Sequence, residues 1–496
     1  MKRYIKLSLF AGISMLSASC TDLAVTELDS VKRPASSGGY VPGNPTELLT
    51  SAYKDLSTFN GQDNIYALGE HVTAEMIPPT RGVDWGDNGV WRTLDQHTWD
   101  ATHSWNQNAW NALHSRVFKC NEILAASPSA SQAAQAKFLR AVYMYYAMDF
   151  WGQVPFREVT EGVDANPKVL TRSEAFDFIV KDLTDALPGL PVTGPTGATG
   201  KASKAAANFM LAKLYLNKAV YTGAPAASYS FNNADLDKVI AAVDAITADG
   251  FTYDSNYFNI FSKNSQSEII LKVDEGDANT RFYMTLHYNQ DPSGWNGFAT
   301  LGDFYNTFDA KDARRGKDAL KDGSKYAGIG WGFLKGPQFN ADGSKLIDTR
   351  TQKQLDFSAD VHLAGALTHE GIRAIKYHPS DAGKIIMARY SEAALMKAEA
   401  LARKGSAAAA LEVINAMRAA HGAPAATSAT VESIFTEYGN ELYWEGMKRT
   451  VEIRFGKFTS GTGVLDSKKS DLNTLLYPIP ASAVVANPNL KQNPGY

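Results

Sequence analysis

Residues 388–422 constrain the fold more than any other part of this chain. They read ARYSEAALMKAEALARKG and then, without a break, SAAAALEVINAMRAAHG. Apolar positions recur at helical spacing in both halves, and Gly405 sits where the first helix must stop. Alanines occupy the positions where two helices would cross, so the pair can pack closely. About 34 residues of helix–turn–helix is the size and texture of a tetratricopeptide unit, which buries its apolar face only by stacking on further helices. A chain carrying such a unit is expected to be mainly α.

The rest of the sequence supplies partners for that stack. Pro45–Phe59 is a short helical candidate, Ser104–Ala126 a longer one, and Gln132–Trp151 is helical until Gly152 and Pro155 end it. Thr171-Arg172-Ser173-Glu174 has the form of a capping box before an apolar-periodic run. Ser203 can cap KAAANFMLAKLYLNKA, and Ala234–Ala248 follows after an insertion from Val220 to Asn233. VESIFTEYGNELYWEG, 431–446, reads as a further helix. The repeats are therefore dispersed rather than tandem. Glu268–Val273 reads as a short strand, and Asn340–Ser344 holds an Asp-Gly hairpin turn. Between about 252 and 384 the chain is rich in Gly, Asp and aromatics with weak periodicity, the pattern of long loops and short strands. The expected fold is an α–α superhelix of tetratricopeptide-type pairs with an irregular loop and short-strand region on one side.

The N-terminus reads as an address. MKRYIK is cationic, Leu7–Leu16 is an apolar run too short to span a bilayer, and Leu16-Ser17-Ala18-Ser19-Cys20 resembles a bacterial lipobox. Residues 1–19 are expected to be a signal peptide, Cys20 the acylated mature N-terminus, and 20–44 a tether reaching roughly 25–30 Å if flexible. Two acyl chains would hold a bilayer stably where one would not. The other cysteine, Cys120, then has no disulfide partner and is expected to pack as a small hydrophobe. No later stretch has about 18 consecutive apolar residues. A formal charge of −3 argues against nucleic acid, which needs a basic footprint. Nine tryptophans and 22 tyrosines invite a search for a recognition surface instead.

Six segments, in order, carry a family resemblance. They are FLRAVYMYYAMDFWGQVPF (138–156), DSNYFNIFSKNSQSEIIL (254–271), RYSEAALMKAEAL (389–401), INAMRAAHGAP (414–424), NELYWEGMKRTVEIRFGKF (440–458) and YPIPASAVVANPNLKQNPGY (477–496). Together they resemble the SusD/RagB family, surface glycan-binding lipoproteins of glycan-scavenging Gram-negative bacteria. Glu452 departs from the family pattern, which has a more apolar residue or an aspartate there. The resemblance implies a helical region over 45–250 and a C-terminal region over 251–496 that contains the loop-rich insertion 252–384. It implies an oligosaccharide or polysaccharide ligand bound without catalysis, no cofactor, and a SusC-like TonB-dependent transporter as partner at the outer membrane. The RagB branch implies a peptide ligand as the alternative.

A sugar presents polarised C–H faces and an equator of hydroxyls, which match aromatic faces and polar side chains respectively. GVDWGDNGVWRTLDQHTW, 82–99, is the densest source of both. Trp85 and Trp91 are candidate plates, and Arg81, Asp84, Asp87 and Asn88 are candidate polar arms beside them. An indole here either stacks on a ligand or packs into the core, and Trp99, Trp105 and Trp110, running into a predicted helix, read as core. PSGWNGF (292–298) and GIGWGFLKG (328–336) add Trp295, Asn296 and Trp331, with Tyr283, Tyr288 and Tyr326 in reserve. The expected ligand face is an arc of Trp85, Trp91, Trp295 and Trp331.

Other chemistries find less support. Glu441 and Glu445 are i,i+4 on a predicted helix, near the separation of a retaining glycosidase pair, but one helix face cannot grip a bond from both sides. Arg449 and Arg454 beside them suggest an ion network instead. No GxSxG elbow occurs, and His97 and His103 belong to no metal motif. Asp84, Asn88 and Gly89 half-match a calcium loop whose third and twelfth positions, Gly86 and Asp95, do not fit it.

Overall fold

The computed structural model describes residues 42–161, 165–265, 267–460 and 470–496. The signal peptide, Cys20 and the tether up to residue 41 lie outside the described residues.

Helices stack in sequence order. Ser104–Ala125 packs on Ala130–Trp151, and that helix on Arg172–Ala186. Lys204–Leu216 comes next, then Asn233–Ala248, which meets Tyr390–Arg403 across the loop-rich insertion. Ala407–Ala420 closes the pair with Tyr390–Arg403, as the opening repeat implied. Buried Ala393, Ala394, Ala398, Ala400 and Ala410 are the small residues that let these helices approach. The stack is continuous although 141 residues of other structure separate its fifth and sixth members.

Local chemistry sets the helix starts. Thr171 and Glu174 form the anticipated capping box, Ser129 and Gln132 form a second, and the Ser203 hydroxyl accepts from the Ala206 N–H at 3.1 Å. Each satisfies donors that the first helical turn leaves open. Two helix ends differ from expectation. The helix beginning at Lys204 stops at Leu216, where the Asn217 side chain donates to the Lys213 carbonyl, and Lys218–Thr222 is a separate short helix that runs into the anticipated insertion. The helix Val431–Leu442 stops short because Tyr443 and Trp444 leave helical dihedrals; the Trp444 indole donates to the Glu75 carbonyl at 3.2 Å.

The loop side holds only small antiparallel sheets. Ile269–Lys272 pairs with Ile386–Arg389 and ties the insertion to the helical stack. Arg373–Ile375, Trp331–Leu334 and Gly316–Lys317 form a three-stranded sheet in that order. The Asp342-Gly343 turn joins a Phe339–Lys345 bridge, with Gly343 at φ +82°. Among the described residues, no helix is long and apolar enough to cross a membrane. Cys120 is fully buried, and burial pushes its thiol up to about 12.

Candidate functional site

A tight backbone wrap builds the aromatic face. Residues 295–298 fold back over 283–286: the Trp295 N–H donates to the Tyr283 carbonyl at 2.7 Å, and Gly297 and Phe298 both donate to that of Met284. Gly297 is required there, because a Cβ would lie 2.4 Å from the Trp85 ring. An antiparallel bridge between Ile77 and Ala299 pins the earlier loop alongside. The Trp85 indole N–H then donates to the Trp295 carbonyl at 2.9 Å, while its ring leans on Phe298 at 4.8 Å. Trp295 is 43% exposed and stacks with Tyr283, centroids 5.7 Å apart at 25°. Trp85, Trp295 and Tyr283 thus form one connected row.

Polar groups border that row. Asp84 is exposed and lies 3.6 Å from the Arg350 guanidinium, which sits 4.4 Å from the centroid of the half-buried Tyr288 ring. A cavity of about 410 Å³ is lined by Trp85, Asp87, Asn88, Gln62, Asp63 and Trp105, with an edge of the buried Trp91. Asp87 and Asn88 are exposed with positive φ, and burial raises the Asp63 carboxyl above its ordinary range. This arrangement offers flat apolar faces with hydrogen-bonding groups around their edges, which suits a polyhydroxylated ring.

Four expected site residues have other occupations. Trp91 is 3% exposed, ringed by His71, Trp85, Trp105 and Phe298, with its indole N–H on Asp87 at 2.7 Å; it is core, not plate. Arg81 is buried, and both of its terminal guanidinium nitrogens donate to carbonyls, of Leu367 and Glu370, so it clasps the 367–370 segment instead of reaching solvent. Burial pushes it down to about 10. Asn296 is 1% exposed, accepting from Arg373 at 2.7 Å and donating to the Thr368 carbonyl at 3.0 Å. Trp331 is half-buried on its own sheet, stacked with His378 at 3.9 Å, and its ring contact is not with the other three tryptophans. The four-indole arc reduces to Trp85 and Trp295 with Tyr283 from the reserve. Tyr326 is half-buried with the Lys325 ammonium 4.7 Å from its centroid.

The carboxylate pair is structural. Because the helix ends at Leu442, Glu441 and Glu445 do not share a helix face; both converge on buried Arg389, at 2.7 Å each. Arg314 and His421 hold Glu441 as well, and Lys376 holds Glu445 at 2.6 Å. Burial works against ionisation of both, but these cations outweigh it and keep both carboxyls below their ordinary range. A retaining hydrolase needs one of its pair protonated at working pH, and neither qualifies. Arg449 and Arg454 pair elsewhere, with Asp149 and Glu399 at 2.8 Å each. Departing Glu452 is buried, with the Ala74 N–H donating to it at 3.3 Å. His97 and His103 each approach a backbone carbonyl, of Val72 and Val90, and among the described residues no cluster of three metal-ligating side chains occurs.

Residues 266–496 match the model described as the SusD family, and residues 46–216 match one described as "Starch-binding associating with outer membrane". This chain belongs to the SusD/RagB family. It is 25% identical over 426 residues to the starch-binding protein SusD of Bacteroides thetaiotaomicron, covering 74% of this chain and 73% of that one. A SusD-like protein from Bacteroides fragilis shares the fold with a TM-score of 0.70 at 19% identity, covering 91% of this chain and 96% of its own. The surface glycan-binding protein A of Bacteroides fluxus does so at 0.66 and 20%, covering 92% and 100%.

Within this SusD/RagB protein, Arg350, Gln62 and Asp63 border the candidate site and Phe298 backs it, and none of the four stands out in the sequence as a site residue. Phe298 closes the PSGWNGF segment already singled out, so its proximity to Trp295 was a usable signal. Arg350 stands in a polar turn with nothing local to distinguish it.

Proposed function

We propose that this protein captures oligosaccharides at the bacterial surface on the face formed by Trp85, Trp295 and Tyr283, and passes them uncleaved to a SusC-like TonB-dependent outer-membrane transporter. The observation that carries the reading is Trp295: a large indole left 43% exposed, backed by Tyr283 and joined to Trp85 through its own carbonyl. A plate held this firmly at the surface suits a ligand with flat C–H faces. The glycan-binding names of its relatives support the same reading. An acylated Cys20 would tether the protein to the outer membrane, within reach of such a transporter.

Two or three stacked rings at ~0.5–1.5 kcal/mol each, with a few net hydrogen bonds of ~1 kcal/mol, amount to about 4–7 kcal/mol. This corresponds to dissociation constants from roughly 1 mM to 10 µM, weak enough for release into a transporter. Affinity electrophoresis through gels containing starch, β-glucans or mannans tests the reading, with a reducing-sugar assay on the same mixtures. At least one polysaccharide is expected to retard the protein, with retardation diminished in Trp295→Ala and Trp85→Ala and no sugar released. Release of sugar would make it an enzyme, and indifference to every glycan would point to a peptide ligand.

A further inference from the structure

A second concavity, separate from the Trp295 face, carries a different chemistry. The strands Gly316–Lys317 and Trp331–Leu334, with residues 335–339, border a groove of about 290 Å³ that Tyr305, Phe333 and Phe339 also line. Four cations line it as well: Arg315, Lys317, Lys321 and Lys335. Each is set over an aromatic ring. The Lys321 ammonium is 3.6 Å from the Phe339 centroid, and Lys317 is 4.8 Å from that of Trp331, its partner across the strands. Arg315 and Lys335 share the Tyr305 ring at 4.1 and 4.9 Å, so these two like charges stand within about one screening length (~10 Å at 0.1 M salt) of each other.

Among the described residues, none of the four makes an ion pair. The groove's own carboxylates do not neutralise them. Asp312 is buried and taken by Arg314 at 2.7 Å, while Asp318 is exposed and pairs with none of the four. In a chain of net charge −3, four cations gathered without carboxylate partners repel one another, and an incoming anion relieves that repulsion.

We propose that this groove is a second subsite, selective for the carboxylate or sulfate of an acidic saccharide. It rests on the glycan-binding reading and narrows the class of glycan. The neutral face at Trp295 would hold the chain, and the groove would read its charged substituents.

The test uses the full mature chain in affinity gels containing polygalacturonate, dextran sulfate, poly-glutamate or a neutral polysaccharide. Lys321 and Lys335 are both exposed, so Lys321→Gln/Lys335→Gln should fold, which a thermal melt verifies. The expected result is binding of an acidic polysaccharide that weakens several-fold, up to about tenfold, in the double variant relative to any neutral one. It should also weaken as salt rises. A preference for polygalacturonate or for dextran sulfate assigns the anion to carboxylate or sulfate. Equal binding of poly-glutamate would overturn the saccharide assignment, and an unchanged acid-to-neutral ratio would overturn the groove. Acid binding that survives Trp295→Ala while all neutral glycans fail would remove the Trp295 reading and leave the groove standing. Neutral binding with no response to any acid would do the reverse.

Discussion

Trp91 and Trp295 look alike in sequence, yet their replacement by alanine should separate stability from binding. Trp91 is almost wholly buried among four rings with centroids 5.0–5.9 Å away, and truncation of such a residue costs ~3–5 kcal/mol. The unfolding entropy of a folded unit of about 450 residues is ~1 kcal/mol/K, so Trp91→Ala should lower Tm by about 3–5 °C if unfolding is cooperative. Trp295 has one stacking partner and an exposed outer surface, so Trp295→Ala should shift Tm by no more than about 1 °C. Its loss removes one ring from the proposed ligand face, worth ~0.5–1.5 kcal/mol, or a two- to tenfold rise in Kd for a retained glycan. Differential scanning fluorimetry and affinity electrophoresis on the same preparations read both quantities. If Trp91→Ala melts like the wild type but no longer binds, or Trp295→Ala melts several degrees lower with binding intact, the division into core and plate is wrong.

Three further outcomes follow from the buried chemistry. Arg389→Met leaves Glu441 and Glu445 without their shared cation and should destabilise the protein by ~3–5 kcal/mol in urea titrations; no loss would mean the network is not structural. Burial alone would lower the His421 pKa, but the Glu441 and Glu268 carboxylates outweigh it and hold it up at about 9. Its stabilising contribution, on the order of 3 kcal/mol, is therefore complete below the unfolded value near 6.5 and lost as pH rises toward 9. Lys376, which burial pushes down to about 8, runs the opposite way above that pH, so the readout is the wild-type Tm minus that of His421→Gln between pH 6 and 9.5. That difference should shrink steadily, and a flat difference would refute the assignment. Cys120, fully buried with its thiol pushed up to about 12, should resist iodoacetamide in native protein lacking Cys20 and react only after denaturation, as mass spectrometry would detect.

Much of the helical stack was legible because its information is local. Ser129, Thr171 and Ser203 mark starts within three residues of the bonds they make, and small residues at 393–410 mark the crossings. The helix end at Leu442 was not legible. What ends it is Glu75 receiving Trp444 and Glu70 receiving the Gly446 N–H at 2.7 Å, partners about 370 positions away. That same break re-aims Glu445 at Arg389 and turns an apparent helical pair into one corner of an ion network.

The proposed ligand face obeys the same division. Glycine-flanked indoles are visible in sequence, but whether one faces water depends on what the fold sets behind it. Trp91 packs its ring into the cluster of Trp85 and Phe298, whereas Trp295 reaches that cluster only through its carbonyl, which accepts from the Trp85 indole, and its ring stays 43% exposed. Arg81 and Asn296 stand close in sequence to Trp85 and Trp295. They are buried for that very reason, since the turns that raise Trp85 and Trp295 to the surface must be fastened underneath, to the 367–373 segment. A polar residue next to an exposed plate in a tight turn is thus as apt to be its anchor as its companion. The companions here, Arg350 and Tyr288, come from elsewhere in the chain.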